Sequence, residues 1–442
     1  MNVFRAFKLR QQSARIDESP KVNVVEQGVD VRLAEELAQS GNPVGQNRTI
    51  LPSLWLRDSC RCSQCVNKDT SQRNFNTFTL PKDLAVTEAL NTDGGLQVRW
   101  SDGHQSNYPW NFVKFYLKQN RRVRPFNVGQ WSWGAEIGEG KEIDYDAEGV
   151  DIRTLKSDNA KHPPAVKYED VMDESKPGIS RLTKYIQKFG FVFVTDTPPT
   201  PEATKAVLER IAFIRVTHYG GFYDFIPDLA MADTAYTNLA LPAHTDTTYF
   251  TEPAGIQSFH MLEHKPAPGT PEEGGLGGKS LLVDGKYAAF LLRKEDPNAY
   301  NILSKTRVQW HASGNKGISI SPAMQYPVLE TFYDGPILAR VRWNNDDRGI
   351  MPLNTKTGFD TIKWYEAAAK WEAILRRPEV EYWFQLTPGK VLIFDNWRVM
   401  HGRSAFTGTR RICGGYLPRD DFVSRWLNTN FSKDEIAESV VG

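Results

Sequence analysis

Two residue types that bind metals stand two positions apart in the middle of the chain, in His244-Thr245-Asp246. Alternate side chains of an extended strand share a face, so His244 and Asp246 would present an imidazole nitrogen and a carboxylate to one point. These two ligands and a distant second histidine would make the facial triad that holds non-haem Fe(II) and leaves coordination positions open. A His-x-Asp pair by itself is more often part of a solvated loop. The prediction therefore depends on what the other parts of the chain supply.

The whole chain has eight histidines, and one from a late part of the sequence can complete this site. His401 comes soon after the apolar run at 391–394, which predicts a buried strand. Arg410 follows nine residues later, and an arginine beside such a metal can pair bidentately with the carboxylate of a co-substrate. Ser280 is a candidate for a second hydrogen bond to that carboxylate. The combination predicts a site for Fe(II) and 2-oxoglutarate.

Aromatic side chains are dense just before the first histidine, with Tyr219, Tyr223 and Tyr236 among them. The face of an aromatic ring carries negative charge, and several rings around one pocket bind a quaternary ammonium group that has no hydrogen to donate. Ordinary core packing is the competing interpretation of such a tract. The neighbouring iron site favours a cation pocket.

Polar residues near this tract could hold the other end of a small substrate. Asp233 precedes Tyr236, and Asn344 and Asn345 follow a tryptophan later in the chain. Turn formation is a serious alternative for the Asn-Asn-Asp-Asp-Arg stretch. Which of the two asparagines faces the pocket therefore stays open.

A cluster of cysteines near the start of the chain is the other pattern typical of a metal site. Cys60, Cys62 and Cys65 are three of the four cysteines, and their thiolates can converge on one tetrahedral cation. Zinc needs a fourth ligand, for which His104 is a candidate in the turn after a predicted strand at 96–100. So few cysteines in a chain of this length do not make a disulfide framework. We therefore predict a closed, structural zinc site and a reducing compartment.

The length and composition of the chain indicate two globular domains. Its 442 residues are 40% hydrophobic and 24% charged, and the formal net charge of +1 gives no reason to expect nucleic acid or an anionic membrane as a partner. No apolar run approaches the length of a membrane span. Residues 1–16 are basic and contain no acid, which is typical of a short mitochondrial presequence or of a disordered tail. The compartment stays open between mitochondrion and cytoplasm.

The periodicity of the chain predicts a mainly β protein with flanking helices. Residues 166–442 begin with a helical stretch at 180–189, which Gly190 ends, and Thr200 followed by Pro201 predicts the start of a second helix. Many short strands follow, with helical insertions at about 287–293 and 361–376, which favours a double-stranded β-helix, or jelly roll. Residues 21–125 are expected to form a small, β-rich, zinc-binding domain ahead of it. Residues 126–165 lack clear periodicity and are expected to link the two domains. Residues 1–20 are the basic tail or presequence.

Specific motifs lie in four stretches of the chain, at 54–65, 233–250, 278–284 and 395–421. Together they resemble the carnitine-biosynthesis oxygenases, the gamma-butyrobetaine and trimethyllysine dioxygenases, and the resemblance runs over nearly the whole chain. The His-Thr-Asp-Thr-Thr-Tyr-Phe motif that begins at His244 is closer to the trimethyllysine enzymes. The same is true of the His-Gly-Arg-Ser-Ala-Phe-Thr-Gly motif that begins at His401.

This resemblance implies where the cofactors and the substrate bind. The family's residues fall here on Cys60, Cys62, Cys65 and His104 for zinc, on His244, Asp246 and His401 for iron, on Arg410 for 2-oxoglutarate, and on Tyr219, Tyr223 and Tyr236 for a trimethylammonium cage. A tryptophan is often found in the family where Tyr223 stands, which implies a weaker aromatic face here. The family also implies a homodimer, with ascorbate as a supporting reductant.

The functional hypothesis that follows is hydroxylation of N6,N6,N6-trimethyllysine at C3, the first step of carnitine biosynthesis, with molecular oxygen as co-substrate. Hydroxylation of gamma-butyrobetaine is the nearest alternative, because it would use the same catalytic residues. The two substrates differ at the α-ammonium group, for which Asp233 is a candidate partner. A non-catalytic reader of trimethylated lysine is the second alternative, and the set of iron ligands with Arg410 argues against it. The insertion at 266–275 has no assigned role.

Overall fold

The computed structural model describes residues 20–33, 48–117, 163–226, 238–266, 277–314, 316–332, 338–351, 361–433 and 435–436. The chain divides into two compact units, the first made of residues 1–126 and 432–442 and the second of residues 127–431. Several predicted features lie outside the described residues: Asp233, Tyr236, nearly all of the basic tail and of the insertion at 266–275, and most of the linker. Within the described ranges, no helix is long and apolar enough to cross a membrane.

The first unit consists of small antiparallel sheets and short helices. Its elements are β1 (Lys21–Val25), β2 (Gly28–Arg32), β3 (Arg48–Pro52), α1 (Ser53–Asp58), β4 (Val86–Thr92), β5 (Gly95–Trp100), β6 (Gln105–Tyr108) and α2 (Trp110–Leu117). One sheet has the order β1-β2-β3 and the other β4-β5-β6. Gly28 opens β2 with a φ of +150°, and a Cβ there would lie 2.0 Å from the carbonyl oxygen of Leu51. Glycine is therefore required for the close pairing of β2 with β3.

The second unit contains the longer elements of the chain. In order they are β7 (Ala165–Lys167), α3 (Tyr168–Met172), α4 (Gly178–Phe189), β8 (Phe191–Thr195), α5 (Pro201–Ile211), β9 (Tyr223–Phe225), β10 (Leu241–His244), β11 (Ile256–Lys265), β12 (Ser280–Asp284), α6 (Gly285–Glu295), α7 (Pro297–Lys305), β13 (Leu329–Thr331), β14 (Leu338–Val341), α8 (Thr361–Leu375), β15 (Glu381–Phe384), β16 (Val391–Asp395), β17 (Val399–Arg403), β18 (Thr409–Gly414), β19 (Tyr416–Leu417) and α9 (Arg419–Asn430).

Most strands of this unit form a larger and a smaller sheet, while β13 and β14 pair with each other as a third, two-stranded sheet. The larger sheet has the order β7-β8-β16-β11-β18-β9, with β19 also paired to β11, and the smaller sheet has the order β10-β17-β12-β15. Neighbouring strands are antiparallel, apart from β7 and β8, which are parallel. Strands that are distant in sequence are thus adjacent in space, as in a jelly roll.

The smaller sheet packs on both of its faces. In β12, Leu282 belongs to a core cluster that also holds Phe394 and Ile412 of the larger sheet. Its neighbour Leu281 points the other way, into a second cluster with Trp364 of α8. Side chains alternate along a strand, so β12 contributes to the core between the sheets and to the core beneath the helices. β17, which carries His401, contributes to the same two clusters through Val399 and Met400.

Local sequence signals set the helix boundaries around the larger sheet. The side chain of Thr200 accepts a hydrogen bond from the backbone N–H of Ala203 at the start of α5, where Pro201 occupies the first turn. Helix α4 ends at Gly190, whose φ of +85° is left-handed. Helix α7 was not predicted from the sequence. It follows α6 directly, and Asp296 caps it by accepting a bond from Ala299 N.

Candidate active site

Three donor side chains converge between the two sheets. His244, at the end of β10, and His401, in β17, are paired residues of neighbouring antiparallel strands, and their ring centroids are 4.3 Å apart. Asp246 Oδ1 lies 3.4 Å from His244 Nε2, and Asp246 Oδ2 lies 4.0 Å from His401 Nε2. One donor atom from each residue lies within 4.8 Å of the others. Two imidazoles and one carboxylate are the donor set of a facial Fe(II) site.

The route by which Asp246 reaches this point differs from the sequence expectation. We expected His244 and Asp246 to share one strand, but β10 ends at His244 and Asp246 lies beyond it. The chain turns immediately afterwards, because Thr247 has a left-handed φ of +57°. Asn396 holds the backbone of Asp246 from both sides: its Oδ1 accepts from Asp246 N at 2.9 Å and its Nδ2 donates to Asp246 O at 3.0 Å. A tertiary contact, not strand alternation, therefore directs this carboxylate.

The carboxylate of Asp246 is oriented by two further side chains. Gln257 Nε2 donates to Asp246 Oδ2 at 2.6 Å, and Tyr416 OH donates to the same oxygen at 2.8 Å. On the other side, the ring of His244 is fixed because its Nδ1–H donates to the carbonyl of Pro242 at 2.8 Å. That bond leaves Nε2 of His244 as the metal-binding nitrogen.

The electrostatics of the cluster match a metal-binding role. Burial, together with the neighbouring His244, lowers the pKa of His401 to about 3, so its imidazole is neutral at pH 7. Burial acts to raise the pKa of Asp246, but the hydrogen bonds with His244 and Tyr416 outweigh it and hold that pKa below its usual range. A neutral imidazole and an ionised carboxylate are the forms that coordinate a metal.

One end of the surrounding cavity carries two buried arginines. Arg410 of β18 and Arg403 of β17 both line it, with Ser280 close by at the start of β12. The guanidinium carbons of Arg403 and Arg410 lie 5.0 and 5.5 Å from the ring centroid of Phe406. Among the described residues, Arg410 Nε has no hydrogen-bond partner although it is buried. Burial, with Arg403 nearby, lowers the pKa of Arg410 to about 9. A carboxylate ligand fits this end of the cavity.

The other walls of the same cavity are aromatic and polar. Tyr219 and Tyr223, two candidates for the trimethylammonium cage, line it together with Tyr249 and Tyr416. Tyr249 OH lies 3.3 Å from Tyr219 OH, and the ring centroids of Tyr223 and Tyr416 are 5.7 Å apart. Asn344 also lines the cavity.

The predicted zinc ligands cluster in the first unit. His104 Nε2 lies 3.4 Å from the sulfur of Cys60, 3.6 Å from that of Cys62 and 3.5 Å from that of Cys65. Burial and the neighbouring Cys60 raise the pKa of Cys65 to about 12, because several thiolates so close together repel one another. A bound divalent cation would remove that repulsion, and three sulfurs with one imidazole are a usual zinc set. Arg57 donates to Cys65 Sγ at 3.1 Å and supports the cluster from outside.

Comparison with known proteins decides the family. The protein-family model described as Taurine catabolism dioxygenase TauD, TfdA family matches residues 151–416. The family model described as Gamma-butyrobetaine hydroxylase-like, N-terminal, matches residues 45–114. The trimethyllysine dioxygenase of Neurospora crassa is 52% identical over 96% of this chain and 88% of that protein. The enzymes of that name from Meyerozyma guilliermondii and Homo sapiens (the latter named mitochondrial) are 34% and 36% identical, over 88% and 84% of this chain and 92% and 80% of theirs. The chain belongs to the trimethyllysine dioxygenase family.

Membership of the trimethyllysine dioxygenases makes this chain an enzyme of the Fe(II)- and 2-oxoglutarate-dependent dioxygenase class. It also confirms the predicted fold, a jelly roll preceded by a smaller β-rich unit. The match at 45–114 spans all four residues of the cysteine cluster.

Several cavity residues escaped the sequence analysis. They are Arg403, Tyr249, Gln257, Tyr416 and Asp347. Tyr249 and Arg403 stand inside the two histidine motifs, so proximity to a ligand was the available signal. Asp347 belongs to the Asn-Asn-Asp-Asp-Arg stretch, for which turn formation was the alternative to a role in the pocket. Gln257 carried no signal, and Tyr416 stood only inside the stretch 395–421 that carries the family resemblance, without a role of its own.

Replacing Tyr416 by phenylalanine tests the support of the metal ligand. The change removes one hydrogen bond to Asp246 Oδ2 and keeps the ring. Fe(II) affinity, measured by anaerobic titration, should fall roughly 10- to 100-fold, as is usual when an outer partner of a ligand is lost. Tyr365→Phe, a substitution on the exposed side of α8, should leave the affinity unchanged. Equal affinities in both variants would contradict the role given to Tyr416.

Replacing Cys65 by serine tests the cysteine cluster. Metal analysis of the purified chain should find one zinc per chain, and Cys65→Ser should lose it. The first unit should then unfold at a lower temperature in a calorimetric scan, because structural zinc contributes about 10–16 kcal/mol in isolated zinc modules. Cys413→Ser removes the cysteine that lies outside the cluster and should retain the zinc. Full zinc content in Cys65→Ser would exclude this ligand set.

Proposed function

We propose that this chain hydroxylates C3 of N6,N6,N6-trimethyllysine with Fe(II), 2-oxoglutarate and molecular oxygen, the first step of carnitine biosynthesis. One observation carries the proposal: a single cavity is lined by the donor triad, by two buried arginines and by several tyrosine rings. Each group suits one component, since the triad suits iron, the arginines suit a dicarboxylate, and the rings suit a quaternary ammonium group. The relatives named trimethyllysine dioxygenase support the choice of substrate.

In this proposal the chain's residues bind and orient the reactants. His244, Asp246 and His401 hold the iron, which with 2-oxoglutarate and oxygen supplies the oxidising chemistry when bound. Arg410 pairs with the far carboxylate of 2-oxoglutarate, and Ser280 adds a hydrogen bond. These contacts keep the co-substrate in one orientation while it reacts. The entropy lost in orienting it is therefore lost on binding and does not add to the barrier of the reaction.

The substrate is held by its two ends in this proposal. Tyr219 and Tyr223 face the trimethylammonium group, with Tyr249 beside them, and Asn344 contacts the amino-acid end. Tyr223 is held in place because its hydroxyl donates to the carbonyl of Ser258 at 2.5 Å. Tyr236 and Asp233 keep their roles as sequence-based predictions. Fixing both ends presents C3, and not the neighbouring methylenes, to the metal.

An assay of succinate formation separates the three candidate functions. We expect the full chain with Fe(II) to form succinate in step with hydroxylated trimethyllysine, detected as a product heavier by one oxygen. A chain that turned over gamma-butyrobetaine faster would be the sister enzyme. A chain that bound a trimethylated peptide but formed no succinate with trimethyllysine, gamma-butyrobetaine or that peptide would be a reader. That role needs neither the triad nor Arg410.

Three finer features belong to the same proposal. Ascorbate would support turnover by keeping the iron reduced, and omitting it should lower the number of turnovers before activity is lost. The cysteine cluster would hold a structural zinc. The chain would act as a homodimer, which light scattering of the purified protein tests directly.

A further inference from the structure

We propose that Asp347 binds the α-ammonium group of the substrate and so makes the enzyme select an amino acid over its deaminated analogue. The inference rests on the proposed function, since it concerns one end of trimethyllysine. It follows from the acidic groups of the cavity, from the different chemistry of the two cations of the substrate, and from the loop that carries Asp347.

Asp347 is the cavity carboxylate that does not belong to the donor triad. Among the cavity-lining residues that the structure describes, the acidic side chains are Asp246 and Asp347. Asp246 is committed to the triad, with Gln257 and Tyr416 on its Oδ2. Asp347 is half-buried and lies outside the triad, and Thr248 Oγ1 donates to its Oδ2 at 2.6 Å. A hydroxyl donor on one oxygen orients the carboxylate and stabilises its negative charge.

The two cations of trimethyllysine call for different partners. A trimethylammonium group has no N–H and gains most from aromatic faces, such as those of Tyr219 and Tyr223. An α-ammonium group has three N–H donors and gains most from an ionised oxygen acceptor. The tyrosines therefore suit the trimethylammonium group, and Asp347 suits the α-ammonium group.

The loop that carries Asp347 also offers a donor for the α-carboxylate. Asn344, three residues earlier, lines the same cavity. Its Oδ1 accepts from the backbone N–H of Asp346 at 3.0 Å. Because a backbone N–H can only donate, this bond identifies the oxygen of the amide, and Nδ2 is the donor side. One short loop thus carries an acceptor and a donor at the cavity wall, as an amino acid with both charges requires.

The test compares trimethyllysine with 6-(trimethylammonio)hexanoate, which lacks only the α-amino group, as substrates of the full chain. We expect the wild type to prefer trimethyllysine in kcat/KM by roughly 10- to 100-fold, the range of a hydrogen bond to a charged group. Asp347→Asn should bring the ratio of the two kcat/KM values close to one, because it should lower kcat/KM for trimethyllysine alone. Asp346→Asn removes the same charge from an exposed neighbour and should keep the wild-type ratio.

Other outcomes overturn the inference. An unchanged ratio in Asp347→Asn, an equal loss for both substrates, or a loss of the ratio only in Asp233→Asn would each do so. If Asp347→Asn does not fold, Thr248→Val takes its place, and it should lower the ratio in part; a wild-type ratio in that variant would overturn the inference. Calorimetric binding of both compounds under nitrogen gives the same comparison without turnover. A wild-type chain that hydroxylates neither compound refutes the proposed function instead.

Discussion

Replacing Asp246 by alanine should abolish coupled turnover and lower Fe(II) affinity by at least roughly 100-fold, since loss of even an outer partner of a ligand costs 10- to 100-fold. The imidazoles of His244 and His401 would remain, and each would supply one nitrogen. Without the carboxylate they supply no negative charge to balance the cation. The variant should still fold, because Asn396 contacts only the backbone of residue 246 and those bonds persist.

Anaerobic Fe(II) titration and succinate release measure this effect, with a thermal unfolding curve to establish folding. Asp420→Ala removes an exposed carboxylate at the start of α9 and should match the wild type in all three measurements. Wild-type succinate release in Asp246→Ala would refute the assignment of the iron ligands and with it the proposed reaction.

Replacing Arg410 by glutamine should raise the KM for 2-oxoglutarate by roughly 100-fold or more, since breaking a buried ion pair costs about 3–5 kcal/mol. The guanidinium is buried and its Nε has no partner among the described residues, so a dicarboxylate would supply the missing acceptor. Arg410→Lys keeps the charge and loses the two-point geometry, so it should recover only part of the loss. The KM for trimethyllysine should change much less.

The next residue along β18 provides the control. Arg411 pairs with Asp224 at the surface, with Nε to Oδ1 at 2.8 Å, and its side chain is 43% exposed. Surface pairs of this kind contribute little, so Arg411→Gln should leave the KM for 2-oxoglutarate unchanged. Parallel increases in both variants would indicate a general defect of β18, and an unchanged KM in Arg410→Gln would remove Arg410 from the co-substrate site.

The local sequence was sufficient to predict where a helix begins or ends when residues at that position determine the boundary. Thr200 with Pro201 gave the start of α5, and Gly190 gave the end of α4. Such signals act within one turn of helix, because they satisfy backbone groups that the helix itself leaves without partners. Helix α7 carries a signal of the same kind, with Asp296 as its N-cap and Pro297 in its first turn, and it was missed because it begins as soon as α6 ends.

The sequence by itself determined the chemistry, because donor atoms are a property of residue type. Residue type and spacing identify His244, Asp246 and His401, the cysteine cluster with His104, and Arg410. Within each of the two metal-donor sets, the structure places the donor atoms within 4.8 Å of one another. Only the tertiary structure decided what surrounds them. Gln257 and Tyr416 reach Asp246 from β11 and β19, and Asp347 reaches the cavity from a distant loop. Contacts between remote strands arise from packing of the whole core, and no local pattern encodes them.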